Sequence, residues 1–437
     1  MRLRTRAAAA AFFALALLST ARAQTRAPAR TSTQTQATPL PPDNDLNALR
    51  ESAVAGDAQA QFALADHYFR GLGVAQDYGQ AVIWFRKSAA QGYAPALNQL
   101  GYMHQHKFGL PQDYKRAVNY YRLAADKGDA LAENDLAGMF KAGLSVKRDY
   151  KEAFDWYRKA ADQNLPQAEE EVGYFYQWGW GVKRDYDQAL AWYRRAAGHG
   201  DSDAENQLGY MAEQGLGQPQ NYAEAFSWYY ESAGHGNDEA MENIGYDFEH
   251  GIGVAVDYAK AMTWLYKAAA LQNSDAENQL GWMYQYGQGV KPNDANAEAW
   301  YQLSADQGNT RGQNNLSALQ EELNEDTGGE PANEPLNDPV VEIVQRRARI
   351  RDLRAQITGL ETDALAEDSS ADDLAHMGKN GKNKNGAIAK VMDAFGTALS
   401  EKPRGDASQL REQAARLREE LAGLEAVDNS SANVLVP

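Results

Sequence analysis

Three groups of residues have the types and spacing of a chemical site. The candidates are a metal-binding pair at His104 and His106, an alternating set of calcium-type ligands at Asp201, Asp203 and Glu205, and a phosphate-binding turn at Gly179-Trp180-Gly181. The chain has no cysteine, which excludes disulfides, thiolate metal sites and cysteine nucleophiles. No serine lies in a recognisable nucleophile motif.

An internal repeat gives each candidate a structural explanation. His104 occupies the position that Phe140 and Tyr176 occupy in other repeats, which predicts a packed core residue. The acidic set lies where other repeats place helix caps, and the glycine turn recurs between predicted helices with no strand before it. We therefore predict no catalytic residue, no metal site and no cofactor.

The repeat has a period of 36 residues and recurs seven times. Three markers identify the units: an Asp-Tyr pair beginning at Asp77, Asp113, Asp149, Asp185 and Asp257, with Asn221 replacing the aspartate once; a tryptophan at Trp84, Trp156, Trp192, Trp228, Trp264 and Trp300, with Tyr120 in the gap; and an alanine at Ala81, Ala117, Ala153, Ala189, Ala225, Ala261 and Ala297. A period of this length predicts a solenoid, in which each unit buries its apolar face against its neighbours.

Each unit is predicted to contain two helices. Ala96, Leu100 and Met103 form an apolar stripe with the spacing of a helix, and a second stripe begins at Ala81. A glycine loop separates the two helices, and glycines followed by acidic or hydroxyl caps join one unit to the next. The fold is therefore predicted to be an all-α solenoid of helix-loop-helix repeats, with the marker tryptophans buried between helices.

Residues 168–200 show the pattern of one unit most clearly. It consists of Ala168, Val172-Gly173, Tyr176, Gly179, Gly181-Val182, Asp185-Tyr186, Ala189, Trp192, Ala196-Ala197 and Gly200. This pattern resembles the Sel-1-like repeat, a relative of the tetratricopeptide repeat, and the resemblance covers residues 52–316. It implies a right-handed superhelix that serves as a scaffold or adaptor for other proteins. One secreted branch of that family has a disulfide in each unit and is linked to beta-lactam binding, and this cysteine-free chain departs from it.

Aromatic and amide side chains form a further stripe on the first helix of the units, facing away from the main packing stripe. The aromatic residues are Tyr102, Tyr174, Tyr210, Tyr246 and Trp282, and the amides, four residues earlier, are Asn98, Asn134, Asn206 and Asn278. By resemblance to tetratricopeptide arrays, this face lines the concave groove, where asparagine holds peptide backbone and aromatic rings hold side chains. These nine residues are the predicted partner-binding site. The alternative is that the rings only pack on the neighbouring first helix.

The N-terminal segment has the three parts of a secretory signal peptide. A basic start precedes an apolar run, and the triplet Ala21-Arg22-Ala23 predicts cleavage after residue 23. The formal net charge of −17 becomes −21 when residues 1–23 are removed, which opposes nucleic-acid binding. No later stretch has the roughly 20 apolar residues of a transmembrane helix. We expect a periplasmic protein, with secretion onward as the alternative.

The predicted organisation continues on both sides of the repeats. We expect a signal peptide at 1–23, a disordered linker at 24–44, the repeat solenoid at 45–323, an acidic linker at 324–339, a basic amphipathic helix at 340–365, a flexible segment at 366–386, a coiled-coil-like helical tail at 387–426 and a disordered tail at 427–437. The arginines of the basic helix are expected to dock on the acidic solenoid or to pair with the Glu-rich terminal helix, and contact with anionic lipid or envelope polymer is the alternative. The C-terminal helices are also expected to mediate self-association or docking, by pairing either within one chain or across a dimer.

The predicted function is that of an exported, non-enzymatic scaffold that binds a protein or peptide partner of the bacterial envelope in its concave groove. The alternative is a cell-wall-related ligand binder or enzyme that acts on peptidoglycan or beta-lactam-like compounds. An enzyme would need a nucleophile and a base on one face, and the sequence shows no such pattern.

Overall fold

The protein is all-α throughout the residues that its structure, a computed structural model, describes: 44–327, 346–347, 349–350, 352–357, 359–360, 409 and 412–424. Residues 44–327 form α1 (Asn44–Ala55), α2 (Ala58–Arg70), α3 (Tyr78–Ala90), α4 (Ala94–His106), α5 (Tyr114–Ala125), α6 (Ala130–Ala142), α7 (Tyr150–Asp162), α8 (Pro166–Trp178), α9 (Tyr186–Gly198), α10 (Ser202–Gln214), α11 (Tyr222–Gly234), α12 (Asp238–His250), α13 (Tyr258–Ala270), α14 (Ser274–Tyr286), α15 (Asp294–Asp306) and α16 (Thr310–Thr327).

In chain order, helices α2 to α15 make up seven successive helix-loop-helix repeats, in which an even-numbered first helix precedes an odd-numbered second helix. The chain divides into two compact units, with α1–α4 in the first and α5–α16 in the second. Within each unit every helix packs against the next helix in the chain. The predicted all-α solenoid with a 36-residue period is thereby confirmed. The right-handed superhelix stays a prediction.

The Asp-Tyr signature begins the second helix of a repeat. Asp149 precedes α7, and its Oδ1 accepts hydrogen bonds from the backbone N–H groups of Lys151 and Glu152, both at 3.0 Å. An aspartate or asparagine caps α3, α9, α11, α13 and α15 in the same way, because its side chain satisfies N–H groups that a helix start leaves without partners. The first helices end in a left-handed residue such as Gly215, with φ of 66°, a conformation that favours glycine.

The two helices of a repeat approach each other closely at a glycine of the first helix. A Cβ atom on Gly173 of α8 would lie 2.8 Å from the ring of Tyr193 in α9. A Cβ atom on Gly281 of α14 would lie 2.5 Å from the ring of Tyr301 in α15. Both rings are completely buried. The glycines therefore let a tyrosine ring lie directly on helix backbone, at the packing density of a protein core.

The residue after each marker tryptophan fills the core, which corrects the prediction that all the tryptophans are buried. These following residues are Phe85, Tyr121, Tyr157, Tyr193, Tyr229, Leu265 and Tyr301, and all are buried. Trp264 is only half-buried and lies beneath Lys267, whose Nζ is 3.9 Å from the ring centroid. Trp84 and Trp156 are covered by lysines in the same way. Of the marker tryptophans, Trp192 and Trp300 are buried.

Helices α1 and α16 flank the seven repeats. In α1, Leu46 and Ala53 pack against Leu64 of α2. In α16, Leu319 packs against Ala297 and Tyr301 of α15. The helix continues to Thr327, beyond the predicted end of the solenoid at residue 323. The outermost repeats therefore bury apolar faces that a repeat without a neighbour would expose.

Helical residues also occur beyond α16, at 346–360 with gaps and at 412–424, inside the predicted basic helix and helical tail. Ile350, Leu353, Ile357 and Ala414 are buried there. Residues 1–43, 328–345, 361–408 and 425–437, which hold the predicted signal peptide and most of the predicted linker and flexible segments, lie outside the described residues. None of the described helices has the length and apolar character needed to cross a membrane.

Candidate partner-binding face

The predicted aromatic residues of the second unit share one side of α8, α10, α12 and α14, which we call the first-helix face. Tyr210, Tyr246 and Trp282 are partly exposed on this face. Tyr174 is 8% exposed, and its ring centroid lies 5.1 Å from that of Trp180. Burial raises the pKa of the Tyr174 hydroxyl. Three of the four rings are therefore accessible, and the fourth belongs to the core.

A second aromatic residue packs against each of two of these rings, stacked on Tyr246 and tilted against Trp282. The ring centroids of Tyr246 and His250 are 4.0 Å apart, and those of Trp282 and Tyr286 are 4.1 Å apart. Tyr286 is 49% exposed, and His250 is also exposed. The partners stand four residues after the predicted ring, a spacing that places both on one side of a helix. This second column was not predicted from the sequence, although its members stand at one fixed position of the repeat.

The predicted asparagines of α10 and α14 form hydrogen bonds with the next even-numbered helix. Asn206 Oδ1 accepts a hydrogen bond from Asn243 Nδ2 at 3.0 Å, and Asn278 Oδ1 accepts one from Asn315 Nδ2 at 2.8 Å. The first bond connects α10 to α12, and the second connects α14 to α16. Asn206 and Asn278 therefore connect successive even-numbered helices through their side chains.

The remaining predicted residues lie elsewhere. Asn98 and Tyr102 belong to α4 of the first unit, and Asn134 belongs to α6. Asn98 is 3% exposed, and the Oδ1 atoms of Asn98 and Asn134 are buried without a hydrogen-bond partner. Tyr102 is partly exposed, with its ring centroid 4.3 Å from that of His106. The predicted residues that α8–α14 bring onto one face are Tyr174, Asn206, Tyr210, Tyr246, Asn278 and Trp282.

A column of buried glutamates runs through four first helices, at a position that sequence analysis did not single out. Its members are Glu133, Glu169, Glu205 and Glu277, which are 0–5% exposed. Each is hydrogen-bonded, at 2.6–2.8 Å, to a side chain just after the second helix of its own repeat, respectively Gln163, His199, His235 and Gln307. These bonds connect the start of the first helix to the end of the second. The sequence feature that could have predicted this column is a glutamate that recurs at the same position of the repeat.

The arginine-rich helix contacts the solenoid through one of these glutamates. Arg347 Nη1 lies 2.8 Å from Glu277 Oε1, and the two side chains are 10% and 0% exposed. Burial raises the pKa of Glu277 to about 8, and the charge of Arg347 is the largest influence that opposes this rise. Arg349 pairs with Glu420 of the helical tail at 2.7 Å. Docking on the solenoid and pairing with the terminal helix, predicted as two options, therefore occur together.

Lys141 at the end of α6 is held between a carboxylate and aromatic rings. Its Nζ lies 2.7 Å from Glu171 Oε2 and 5.2 Å from the ring centroid of Tyr174. The hydroxyl of Tyr157 donates a hydrogen bond to Glu171 Oε1 at 3.4 Å. Burial lowers the pKa of Lys141, but the neighbouring Glu171 more than offsets this and the net shift is upward. The ammonium group therefore stays charged in a mostly enclosed site.

At the end of α10, the position that corresponds to Lys141 is occupied by an acid, Glu213. Glu213 stands 72 residues after Lys141 and accepts a hydrogen bond from the Tyr229 hydroxyl at 2.7 Å. Asp247 of α12 is 3% exposed, and burial together with the charges of Glu213 and Glu242 raises its pKa to about 8. Five of the other six repeats have an apolar residue at the position of Asp247, namely Met103, Met139, Phe175, Met211 and Met283, and the first repeat has His67.

The residues that the sequence offered as metal or calcium ligands make contacts that belong to the fold. His104 is 2% exposed in the core of its unit. Asp201 caps α10 by accepting a hydrogen bond from the Ala204 backbone N–H at 2.9 Å, and Asp203 accepts one from Asn237 Nδ2 at 2.7 Å. No group of three or more histidine, aspartate or glutamate side chains among the described residues is arranged to hold a metal ion.

Comparison with known proteins identifies the repeat. The family model of the Sel1 repeat matches residues 58–93, 94–129, 130–165, 166–201, 202–237, 238–273 and 274–309. A Sel1 repeat protein from Oxalobacter formigenes is 34% identical with a TM-score of 0.53, over 56% of this chain and 99% of that chain. A protective antigen present in uropathogenic Escherichia coli strains, which displays an SLR fold, is 27% identical with a TM-score of 0.52, over 88% of this chain and 96% of that chain. No curated protein sequence matches the chain.

Proposed function

Because the chain belongs to the Sel1 repeat family, whose members generally act as scaffolds for protein interactions, we propose that it is an exported, non-enzymatic scaffold that binds a protein or peptide partner on its first-helix face. The observation that supports this proposal is the pairing of partly exposed rings, Tyr246 with His250 and Trp282 with Tyr286. Paired aromatic side chains offer a large contact area and lose little conformational entropy on binding.

The spacing of the two ring pairs favours an extended segment as the partner. Helices α12 and α14 are in contact, and packed helices lie roughly 10 Å apart. An extended chain advances about 3.3 Å per residue. Side chains about three residues apart in such a segment would therefore meet successive ring pairs, while the rest of the segment stays free to contact polar groups between them.

A double variant with a matched control tests this proposal. Trp282→Ala combined with Tyr286→Ala removes one ring pair, and Tyr230→Ala removes a ring that is 56% exposed on a second helix. We expect the double variant to weaken binding of a partner captured from envelope extract at least tenfold, with no such loss for Tyr230→Ala. Binding is measured by calorimetry with the purified partner, and Tm is recorded for each variant. A fall in Tm as large as that of Tyr301→Ala would assign these rings to the core and defeat the proposal.

The proposed location in the periplasm is supported by the basic, apolar and small-residue parts of residues 1–23. Recovery of the protein in an osmotic-shock fraction is the expected result. Recovery mainly in the culture medium would favour secretion onward, and retention in the cytoplasm would reject export. Residues 1–23 would be absent from the mature protein, which mass spectrometry of the purified protein can establish.

A further inference from the structure

Two neighbouring loops of the second unit each present a lysine followed by an arginine. Lys147-Arg148 lies between α6 and α7, and Lys183-Arg184 lies between α8 and α9. All four residues are exposed, and none of their side chains forms a hydrogen bond or an ion pair with a described residue. By contrast, Lys151 and Arg158 each pair with an aspartate four residues later. The four basic groups therefore stay available to an anion from outside the repeats.

The two loops lie side by side, because the second packs on the end of the first. The Trp180 ring stacks on the Tyr150 ring, with their centroids 4.9 Å apart. Gly181 lies so close to the backbone carbonyl of Tyr150 that a Cβ atom would overlap it. Tyr150 follows Arg148 by two residues, and Gly181 precedes Arg184 by three. The two Lys-Arg pairs therefore form one surface, which we call the basic edge.

The arginines of the basic edge are not needed to build the loops. Three other repeats have a glutamine at the same position, namely Gln76, Gln112 and Gln220. Each glutamine donates a hydrogen bond from Nε2 to a backbone carbonyl in the last turn of the preceding first helix, at 2.8–2.9 Å. Arg148 and Arg184 form no such bond with a described residue. Their charge therefore has no task in the fold that a glutamine would not fulfil.

The acids beside the basic edge are mostly engaged with the helices. Asp149 and Asp185, which follow the two arginines, cap α7 and α9. Glu152 accepts a hydrogen bond from Trp156 Nε1 at 3.0 Å. Asp187 in the first turn of α9 is exposed, and its single charge offsets that of one basic group at most. The basic edge therefore keeps a local excess of positive charge in a chain whose formal net charge is −17.

The basic edge adjoins the first-helix face. Trp178 is the last residue of α8 and packs against Tyr174, with the ring centroids 6.0 Å apart. It stands at the repeat position of His250 and Tyr286, the second rings of that face. The loop that carries Lys183-Arg184 begins at the next residue. A partner segment that follows these rings as far as α8 would therefore reach the basic edge.

We propose that the basic edge binds a carboxylate-rich segment of the protein partner, whose aspartate or glutamate side chains accept hydrogen bonds from Arg148 and Arg184. This inference rests on the proposed function, because it names the chemistry that the partner must present beside the first-helix face. A guanidinium group donates two parallel hydrogen bonds to one carboxylate. Complementary charges beside an interface also speed association and select between partners.

Fluorescence anisotropy with a labelled hexaglutamate peptide tests the basic edge on the full-length protein. The test variant is Arg148→Gln with Arg184→Gln, which gives both loops the glutamine of other repeats and should preserve Tm. The control is Arg122→Gln with Lys127→Gln, which makes the same charge change at exposed residues near the end of α5. At an ionic strength of about 0.1 M, charges more than roughly 10 Å apart are largely screened. We expect binding to weaken about fivefold or more in the test variant and less than about twofold in the control.

Four results would overturn the inference. These are no binding of hexaglutamate to the wild type, equal binding of hexaglutamine, equal losses in the test variant and the control, and binding of phosphatidylglycerol vesicles that the test variant loses while it still binds hexaglutamate. If the test variant lowers Tm, Lys147→Gln with Lys183→Gln replaces it and must weaken binding in the same way, or the inference fails. A captured partner that binds the test variant as well as the wild type, but not Trp282→Ala with Tyr286→Ala, would reject this inference while the proposed function stands.

Discussion

Replacing Asp247 with asparagine should stabilise the protein at neutral pH. The carboxyl of Asp247 is 3% exposed and lies near two other carboxylates, Glu213 and Glu242. Burial and these charges raise its pKa in the folded protein to about 8. Because the folded state binds this proton more tightly than the unfolded state, stability is greatest below the unfolded pKa of about 3.9 and is lost as the pH rises towards 8.

The size of the effect follows from the distance between the two pKa values. Each pH unit above the unfolded pKa and below the folded pKa costs the folded state about 1.4 kcal/mol. At pH 7 the cost of retaining Asp247 is therefore about 4 kcal/mol. Asparagine has nearly the same shape and does not ionise, so it removes this cost. The advantage of Asp247→Asn should grow by about 2.5 kcal/mol between pH 5.5 and pH 7.5.

Urea unfolding at constant ionic strength, followed by circular dichroism, measures this advantage at each pH. Asp187→Asn is the matched control, since Asp187 is exposed and its replacement should shift stability equally at all these pH values. Asp247→Met, which restores the residue of the neighbouring repeats, should stabilise further by burying apolar surface. If wild type and Asp247→Asn lose stability in parallel between pH 5.5 and pH 7.5, Asp247 does not titrate as argued and the reasoning is wrong.

Three further outcomes are expected. Arg347→Ala should lower the free energy of unfolding by about 3 kcal/mol, because it leaves the buried Glu277 without its cation; a loss of the same size in a Glu277→Gln background would contradict this account. Gly281→Ala should cost about 2 kcal/mol in urea unfolding, because the new methyl group meets the ring of Tyr301. The glutamate partner of His235 raises the pKa of its imidazole, so its stabilising contribution is present below pH ~6.5 and is lost as the pH rises through the folded pKa; in His235→Gln this part of the pH profile should be flat.

The sequence predicted the repeats and their helices because those depend on local features. Asp149 is a helix cap whose position is fixed by the N–H groups two and three residues later, and such short-range signals recur at every period. The 36-residue register then determined which helices are neighbours. The fold class therefore needed no information about individual side-chain contacts.

The burial of single side chains was harder to predict, because adjacent helical positions are only about 100° apart. Trp264 and Leu265 are neighbours in sequence, yet Leu265 is buried and Trp264 is half-exposed beneath a lysine. The size of tryptophan suggested that Trp264 would be the core residue. The two helices approach closely at Gly245, where a Cβ atom would lie 2.7 Å from Leu265. This close approach places Leu265, rather than Trp264, in the core. Whether the face built on Tyr246 binds a partner stays a prediction.

The repeat period does not determine which cation compensates the charge of each buried glutamate in this solenoid. Glu169 is neutralised within the second unit by Arg195 at 2.7 Å, and Glu277 by Arg347 at 2.8 Å, a residue beyond the repeats. The cation in each case comes from a different element than the acid, so a buried acid does not require a base on its own helix. Asp247 is instead compensated by the proton that its raised pKa retains at neutral pH.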